Sequence, residues 1–249
     1  MNVEIKRDGL ILRGCVEKCD SDKKMPAVIM LHGFTGNLGY EEDSLFSRIS
    51  REIAENEMIS IKFDFDGHGK SDGDFSDMDV LREVLDAVEI LKYAMKREDV
   101  SKIYVLGHSQ GGVVGAMLAG LYPDVIRKLV LLAPAFTLKT DAIKGTCMGT
   151  EYDTECTPEV VLVDNQHNVG GHYFRIAKNL PIEDWAAKYT GEALIIHGRA
   201  DEIVDYHESE KYQKLMQDAR LELFDGMDHG INGAGQQEAL EMIQEFLKK

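Results

Sequence analysis

Positive charge and long hydrophobic runs are both scarce in this 249-residue sequence. Lysine and arginine number 28 against 44 aspartates and glutamates, which gives a formal net charge of −16. Nucleic acids and anionic membranes bind cationic surfaces, so this balance argues against both as partners. No apolar run approaches the ~20 residues of a membrane-spanning helix, and residues 1–8 carry no apolar signal-peptide core. We therefore expect a cytoplasmic protein that does not bind membranes.

Cysteine is also sparse, and its distribution does not suggest a metal centre. The four residues Cys15, Cys19, Cys147 and Cys156 do not form a set of zinc ligands. Reduced thiols are the default in the cytoplasm, and a bridge between Cys147 and Cys156 is the alternative. We expect no metal and no other cofactor. No interface motif stands out, so the sequence leaves open whether the chain forms a homodimer.

Apolar segments of strand length alternate with segments of helical periodicity along most of the chain. This alternation predicts an α/β fold with a doubly wound, mostly parallel sheet covered on both faces. The length suits one domain over residues 1–249. Predicted strands cover residues 3–7, 10–16, 27–31, 59–63, 102–106, 125–132, 193–196 and 221–224, and predicted helices cover residues 45–55, 80–95, 112–120 and 239–247.

One long segment, at about residues 135–188, breaks the alternation. It is rich in Gly, Thr and Asn and contains the single tryptophan of the chain, Trp185. A structureless loop of this length is unusual inside a compact domain. The segment is therefore predicted to be a cap subdomain inserted into the α/β domain.

A Gly-x-Ser-x-Gly pattern, Gly107-His108-Ser109-Gln110-Gly111, stands between a predicted strand and a predicted helix. In this setting it is typical of a nucleophile elbow, a tight strand-turn-helix that exposes one serine hydroxyl. Glycines two positions before and after the serine let the turn tighten without a Cβ clash. Ser109 is therefore the predicted nucleophile, and a serine that only caps the helix is the alternative.

A nucleophilic serine needs a base, and the base needs an orienting acid. Proteins with such an elbow place them in the order serine, acid, histidine. Asp201 follows the strand 193–196 and His229 follows the last strand, so both are expected at the carboxyl edge of the sheet. We predict Asp201 as the acid and His229 as the base. Glu202 is the alternative acid. Four further histidines near strand ends are interpreted as structural loop residues: His32, His68, His108 and His197. His207 lies too early in the order, and Asp228, which adjoins His229, is expected to point elsewhere.

An acyl-transfer site also needs two donors for the developing oxyanion. The backbone N–H of Gln110 follows the nucleophile, and the N–H of Phe34 lies in the loop after an early strand. Gly33 would allow the backbone to approach closely, and an ordinary strand-exit loop is the alternative. The glycine-rich residues 67–73 lack the spacing of a phosphate-binding loop, so they are interpreted as a turn that supports the catalytic loops.

Several segments together resemble the α/β-hydrolases over nearly the whole length of the chain. They are His32-Gly33-Phe34, residues 64–73, residues 107–112, His197-Gly198 with Asp201, and Asp228-His229. Within that superfamily, residues 107–114, 131–135, 138–142 and 170–177 are similar to the bacterial cinnamoyl (feruloyl) esterases. The resemblance implies an α/β-hydrolase domain with a cap.

The resemblance also implies a function, which is cofactor-free hydrolysis of hydroxycinnamate esters. The expected partner is then a small aromatic ester, with Asp141 and Tyr173 in the cap as polar partners of its ring hydroxyl. The alternatives keep the triad and change the substrate: a short-chain acyl esterase, a monoacylglycerol lipase, a thioesterase or a peptidase. A non-catalytic binding protein on the same fold is a further alternative.

Overall fold

A computed structural model describes residues 1–248 of the chain. The strands, in chain order, are β1 Asn2–Arg7, β2 Leu10–Glu17, β3 Met25–Leu31, β4 Ile59–Phe63, β5 Val100–His108, β6 Ile126–Leu132, β7 Thr146–Cys147, β8 Thr150–Glu151, β9 Val160–Val163, β10 His167–Gly170, β11 Glu192–Gly198 and β12 Asp218–Phe224. The helices are α1 Leu45–Glu55, α2 Val80–Met95, α3 Gln110–Leu121, α4 Leu138–Lys144, α5 Gly171–Ala177, α6 Ile182–Ala186, α7 His207–Leu215 and α8 Gln236–Lys248.

Eight strands form the central sheet in the order β1-β2-β4-β3-β5-β6-β11-β12. The hairpin of β1 and β2 turns at Asp8-Gly9, whose φ angles of 49° and 89° suit a tight turn. Strand β2 runs antiparallel to both neighbours, and the pairs from β4 through β12 are parallel. The predicted α/β fold with a mostly parallel sheet is confirmed.

Strand β3 at the centre of the sheet carries only apolar residues, because both faces of the sheet are covered there. In β5, the Val105 side chain joins the core on the α2 and α3 side, and Leu106 joins the core on the α1 and α8 side. The predicted helices 45–55 and 80–95 begin and end as predicted, since each has one apolar stripe and a side-chain N-cap, Ser44 or Asp79.

Helix α3 differs from the other helices because it is buried on all sides. Its residues from Gln110 through Gly120 are all buried, and the helix lies between the sheet, α2 and α6. Gly120 lets α3 approach α6 closely, because a Cβ at this position would lie 1.8 Å from the carbonyl oxygen of Trp185. The backbones of α3 and α6 therefore touch directly.

Between β6 and β11 the chain forms three short helices and two small antiparallel ribbons. The ribbons pair β7 with β8 and β9 with β10. Helices α4 and α5 contact each other, and α5 also contacts α2, whereas α6 packs against α3. Cap residues such as Phe174 and Val163 are buried in the same apolar core as the α2 face of the sheet.

Within residues 1–248, no helix has both the length and the apolar character needed to cross a membrane. The same residues contain no cluster of three or more His, Cys, Asp or Glu suited to a metal ion. All four cysteines are free thiols.

Candidate active site

The predicted elbow is a tight turn from β5 into α3. Ser109 has φ 55° and ψ −123°, a backbone conformation that costs energy for a residue with a Cβ. Its N–H donates to the carbonyl of Leu132 at 2.9 Å. A Cβ on Gly107 would lie 2.2 Å from the carbonyl oxygen of Gly111, so the turn closes only with glycine at this position. The turn holds the Ser109 side chain at the carboxyl edge of the sheet.

The three residues predicted as nucleophile, acid and base lie in one hydrogen-bonded chain. His229 Nε2 is 2.9 Å from Ser109 Oγ, and His229 Nδ1 is 2.7 Å from Asp201 Oδ2. Asp201 follows β11 and His229 follows β12, and these strands are parallel neighbours. The loops leaving their carboxyl ends therefore meet beside the elbow. This geometry suits proton transfer from the serine to the histidine.

The environment of Asp201 keeps its carboxylate ionised. Its Oδ1 accepts the N–H groups of Ile203 at 2.8 Å and Val204 at 2.9 Å. Burial alone would favour the neutral acid, but hydrogen bonds from His197 and His229 outweigh it and hold the pKa of Asp201 well below its usual range. A carboxylate in this state can stabilise a positively charged His229.

Two histidines interpreted from sequence as structural residues contact the triad. His197 lies 3.0 Å from Asp201 Oδ2 through Nε2 and 2.8 Å from Ser209 Oγ through Nδ1. His108 Nε2 donates to the carbonyl of His229 at 2.8 Å. Burial, with the charge of His229, lowers the pKa of His108 to about 4, so this ring is neutral near pH 7. Both rings hold triad residues in place. His197 and Asp201 belong to the same turn after β11, whereas His108 and His229 are distant along the chain, so tertiary structure alone reveals their contact.

The two predicted oxyanion donors lie beside the nucleophile. Neither the Phe34 N–H nor the Gln110 N–H donates to a protein acceptor within residues 1–248. A Cβ on Gly33 would lie 3.0 Å from Ser109 Cβ and 3.5 Å from Ser109 Oγ, which places this loop directly against the serine. Two free N–H groups at this position suit an oxyanion hole.

The glycine-rich turn at residues 67–73 lies under the loop of Phe34. His68 Nε2 is 2.6 Å from the carbonyl oxygen of Phe34, and Asp64 accepts the N–H groups of Leu38 at 2.7 Å and Lys70 at 2.8 Å. Tyr40 also donates to Asp64. These contacts agree with the interpretation of the turn as a support for the catalytic loops.

The alternative triad candidates lie elsewhere. Glu202 is exposed. Asp228 accepts the backbone N–H of Asn232 at 2.8 Å. His207 is exposed and pairs with Asp205. The ring of His32 is buried and accepts the N–H of Phe65 at 3.1 Å, a structural contact.

A cavity of about 250 Å³ opens above the triad. Cap residues form much of its wall, and Asp141, Cys147, Tyr173 and Phe174 are among them. Burial, with the nearby carboxylates of Asp141 and Asp164, raises the pKa of Cys147 to about 12, so its thiol is neutral. The cavity thus joins the serine to a mostly apolar chamber that has a few polar groups, as small-molecule sites generally do.

Both predicted cap residues line this cavity, in different settings. Asp141 lies on α4. The Tyr173 ring is buried, and its hydroxyl donates to Gln110 Oε1 at 2.7 Å. The amide of Gln110 also donates from Nε2 to Glu83 at 2.8 Å. Sequence reasoning did not identify Glu83, because α2 reads as an ordinary amphipathic helix and nothing local marks this residue.

The chain is similar to known proteins of one fold. A family described as the alpha/beta hydrolase fold matches residues 26–148. The solved structure of Est1E from Butyrivibrio proteoclasticus with ferulic acid bound is 29% identical, with a TM-score of 0.93 over 99% of this chain and 98% of that one.

Curated relatives match over shorter stretches. The probable lysophospholipase BODYGUARD 2 of Arabidopsis thaliana is 28% identical over 130 residues, 52% of this chain and 27% of that protein. A human serine hydrolase-like protein is 30% identical over 126 residues, 48% of this chain and 56% of that protein. The chain therefore spans about a quarter to about half the length of these two relatives. The family match and the likeness to Est1E show that the chain has the α/β-hydrolase fold.

Proposed function

We propose that the protein is a serine carboxylic-ester hydrolase that cleaves hydroxycinnamate esters through an acyl-enzyme. The observation that carries this proposal is the hydrogen-bonded chain from Ser109 through His229 to Asp201, whose Ser109 and His229 line a mostly apolar cavity. The similarity to Est1E supports the aromatic acyl group, because that protein was solved with ferulic acid bound.

The first half of the reaction acylates the serine. His229 takes the proton of Ser109 while Oγ attacks the ester carbonyl, and the carbonyl oxygen becomes an oxyanion. The N–H groups of Phe34 and Gln110 stabilise that charge. The tetrahedral intermediate collapses, and the alcohol leaves with the proton held on His229.

The second half releases the acid. Water loses a proton to His229 and attacks the acyl-enzyme carbonyl, and the same N–H groups stabilise the second oxyanion. Collapse returns the proton to Ser109 Oγ and frees the carboxylic acid. Asp201 holds the ring of His229 in one tautomer and stabilises its charged form in both halves. This route needs no cofactor.

The cap is proposed to bind the acyl group. A phenol donates well to a carboxylate, and Asp141 is the carboxylate of the cap among the cavity residues. Tyr173 uses its proton for Gln110, so towards a substrate its hydroxyl oxygen acts as an acceptor. Phe174 and Met148 supply apolar surface for the ring. The proposed partner is thus a small aromatic ester with a free ring hydroxyl.

The cytoplasm is the proposed compartment. The four cysteines carry free thiols within the described residues, as is usual for a reducing environment. Labelling of the native protein with a thiol reagent after purification under non-reducing conditions would count these thiols.

The experiment that tests the proposed function compares methyl ferulate with 4-nitrophenyl butyrate and 4-nitrophenyl octanoate, for the wild type and Ser109→Ala. We expect a high kcat/KM on methyl ferulate that is lost in the well-folded variant. Turnover of the alkyl esters alone would support the triad but contradict the aromatic acyl group. The candidate substrates would then be acylglycerols, thioesters or peptides. Wild-type turnover by Ser109→Ala would show that Ser109 is not the nucleophile.

A further inference from the structure

Glu83 is a buried carboxyl group behind the elbow. It lies on α2, its side chain is 1% exposed, and its Oε2 accepts from Gln110 Nε2 at 2.8 Å. Its Oε1 has no hydrogen-bond partner within residues 1–248, and it lies 4.0 Å from His68 Nε2. Glu83 therefore stands next to the residues that carry or hold both oxyanion donors.

The contact with Gln110 orients the first donor residue. The Gln110 amide donates to Glu83 from Nε2 and accepts from the Tyr173 hydroxyl at Oε1, so both ends of the amide are held. Rotation of the side chain would break two buried hydrogen bonds, each costly to leave unmade. The backbone N–H of the same residue is thereby held beside Ser109.

The second donor residue is held from the same side. His68 Nε2 lies 2.6 Å from the carbonyl oxygen of Phe34, and His68 Nδ1 lies 2.9 Å from the carbonyl oxygen of Asp66. The carboxyl group of Glu83 lies 4.0 Å from this ring, which is a contact without a hydrogen bond. The His68 ring therefore supports Phe34, and Glu83 stands beside that ring.

The chemistry of Glu83 suits a fixed acceptor rather than a charged group. Burial raises the pKa of Glu83 well above its ordinary value. The hydrogen bond from Gln110 lowers this pKa, and the nearby carboxylates of Asp86, Asp79 and Asp66 raise it further. A neutral acid still accepts from an amide N–H. Glutamine has nearly the same shape and keeps a carbonyl acceptor, which makes it a close substitute.

We propose that Glu83 is a positioning residue of the oxyanion hole. It holds Gln110 by a hydrogen bond, and the amide of Gln110 also joins the elbow to helix α5 through Tyr173. The assignment rests on the proposed acyl transfer by Ser109, but not on the identity of the acyl group.

The test compares Glu83→Leu, which removes the acceptor, with Glu83→Gln, which retains it. The substrate is 4-nitrophenyl butyrate, with inhibition by butylboronic acid, whose tetrahedral serine adduct places an oxygen in the oxyanion hole. Asp79→Ala is the matched control, since Asp79 caps the same helix and its carboxylate accepts the backbone N–H groups of Leu81 and Arg82. Urea unfolding of each variant separates activity from stability.

We expect Glu83→Leu to lower kcat between about tenfold and about 100-fold, because misplaced groups cost this much. Its KM should change little, and boronate inhibition should weaken by a similar factor. Glu83→Gln should stay within a few-fold of wild type in both measurements. Asp79→Ala should lose about 1 kcal/mol of stability, as N-cap removal does, without losing kcat.

Three results would overturn the assignment. They are unchanged kcat and boronate inhibition in Glu83→Leu, an equal kcat loss in Asp79→Ala at equal loss of stability, or a Glu83→Gln variant as impaired as Glu83→Leu. If Glu83→Leu fails to fold, Gln110→Leu tests the same contact, and unchanged kcat there would be equally decisive. A wild type without Ser109-dependent turnover of any ester would instead overturn the proposed function.

Discussion

At the scale of the residue, Asp201 is the most heavily bonded group of the site. One carboxylate accepts from two histidines and two backbone N–H groups, which fixes it in position and in the ionised state. The proposed base depends on it for both tautomer and charge. Two predictions follow from the same contacts, one for turnover and one for stability.

Replacement of Asp201 with Asn should lower kcat by about 10⁴, as an amide favours the wrong histidine tautomer in a serine triad. Steady-state kinetics on 4-nitrophenyl butyrate measure the loss. Glu202→Gln is the control and should retain activity, since Glu202 is exposed. The reverse pattern would transfer the acid role to Glu202.

Asp201 should also make stability depend on pH. Its pKa is lowered in the folded protein, so its contribution is fully present above the ordinary aspartate value of about 3.9 and is lost as pH falls towards the lowered value. The difference in unfolding free energy between wild type and Asp201→Asn should therefore be constant from pH 7 to about 5 and shrink below about 4. Urea unfolding at each pH measures it. A difference that grows in acid would contradict the lowered pKa.

Gly33 is the residue that brings the oxyanion loop against the nucleophile. Gly33→Ala places a Cβ 3.0 Å from Ser109 Cβ, which requires a shift of a few tenths of an ångström, and we expect kcat to fall by about tenfold, since a displacement of about 1 Å costs about 100-fold. Gly9→Ala is the control. It has no atom within 4 Å of the new Cβ, so a cost from its φ of +89° should appear in stability alone. Equal kcat in both variants would contradict this account of the loop.

At the scale of the element, the position of α3 determines the position of the nucleophile. The helix is buried on every side, and its C-terminal turn meets the backbone of α6 at Gly120. Glycine at this position lets the two helices approach closely. Glycine inside a helix normally lowers stability relative to alanine, and the contact between the helices offsets that loss.

Gly120→Ala should therefore destabilise the protein by about 1–3 kcal/mol through overpacking. The sign is informative, because glycine to alanine inside an unobstructed helix stabilises by about 0.5–1 kcal/mol. Urea denaturation with an unchanged m-value would measure the effect. A stabilised variant would mean that α6 moves aside easily.

At the scale of the whole molecule, the formal charge of −16 is the dominant property. An acidic protein repels anionic molecules over a distance that salt shortens. The carboxylate of Asp141, which lines the cavity, adds to this repulsion for an anionic acyl group.

Salt should accordingly favour anionic substrates selectively. Raising ionic strength from about 0.01 M to about 1 M shortens the Debye length from about 30 Å to about 3 Å. We expect kcat/KM for 4-nitrophenyl hemisuccinate to rise by up to about tenfold relative to 4-nitrophenyl butyrate, which has the same acyl length without the charge. Equal changes of kcat/KM with salt for the two esters would show that the net charge of the protein does not affect substrates at the site.

Much of the architecture could be predicted because the signals are local. The stripe of apolar residues in α1 and α2 gives both ends of each helix, and the continuous apolar run at residues 27–31 gives most of β3. The cap differs: β7 and β8 are two residues long, too short to leave a period in the sequence. Its division into ribbons and short helices was therefore beyond reach of pattern analysis.

The sequence by itself predicted the α/β class, the elbow and the candidate triad, because a motif and the order of elements along the chain are properties of the linear sequence. Tertiary structure alone decided that His108 contacts His229, that His68 contacts Phe34 and that Glu83 stands behind Gln110. Those contacts join helices and loops that are distant along the chain. They exist because packing two layers against one sheet edge leaves buried polar groups that must find partners there.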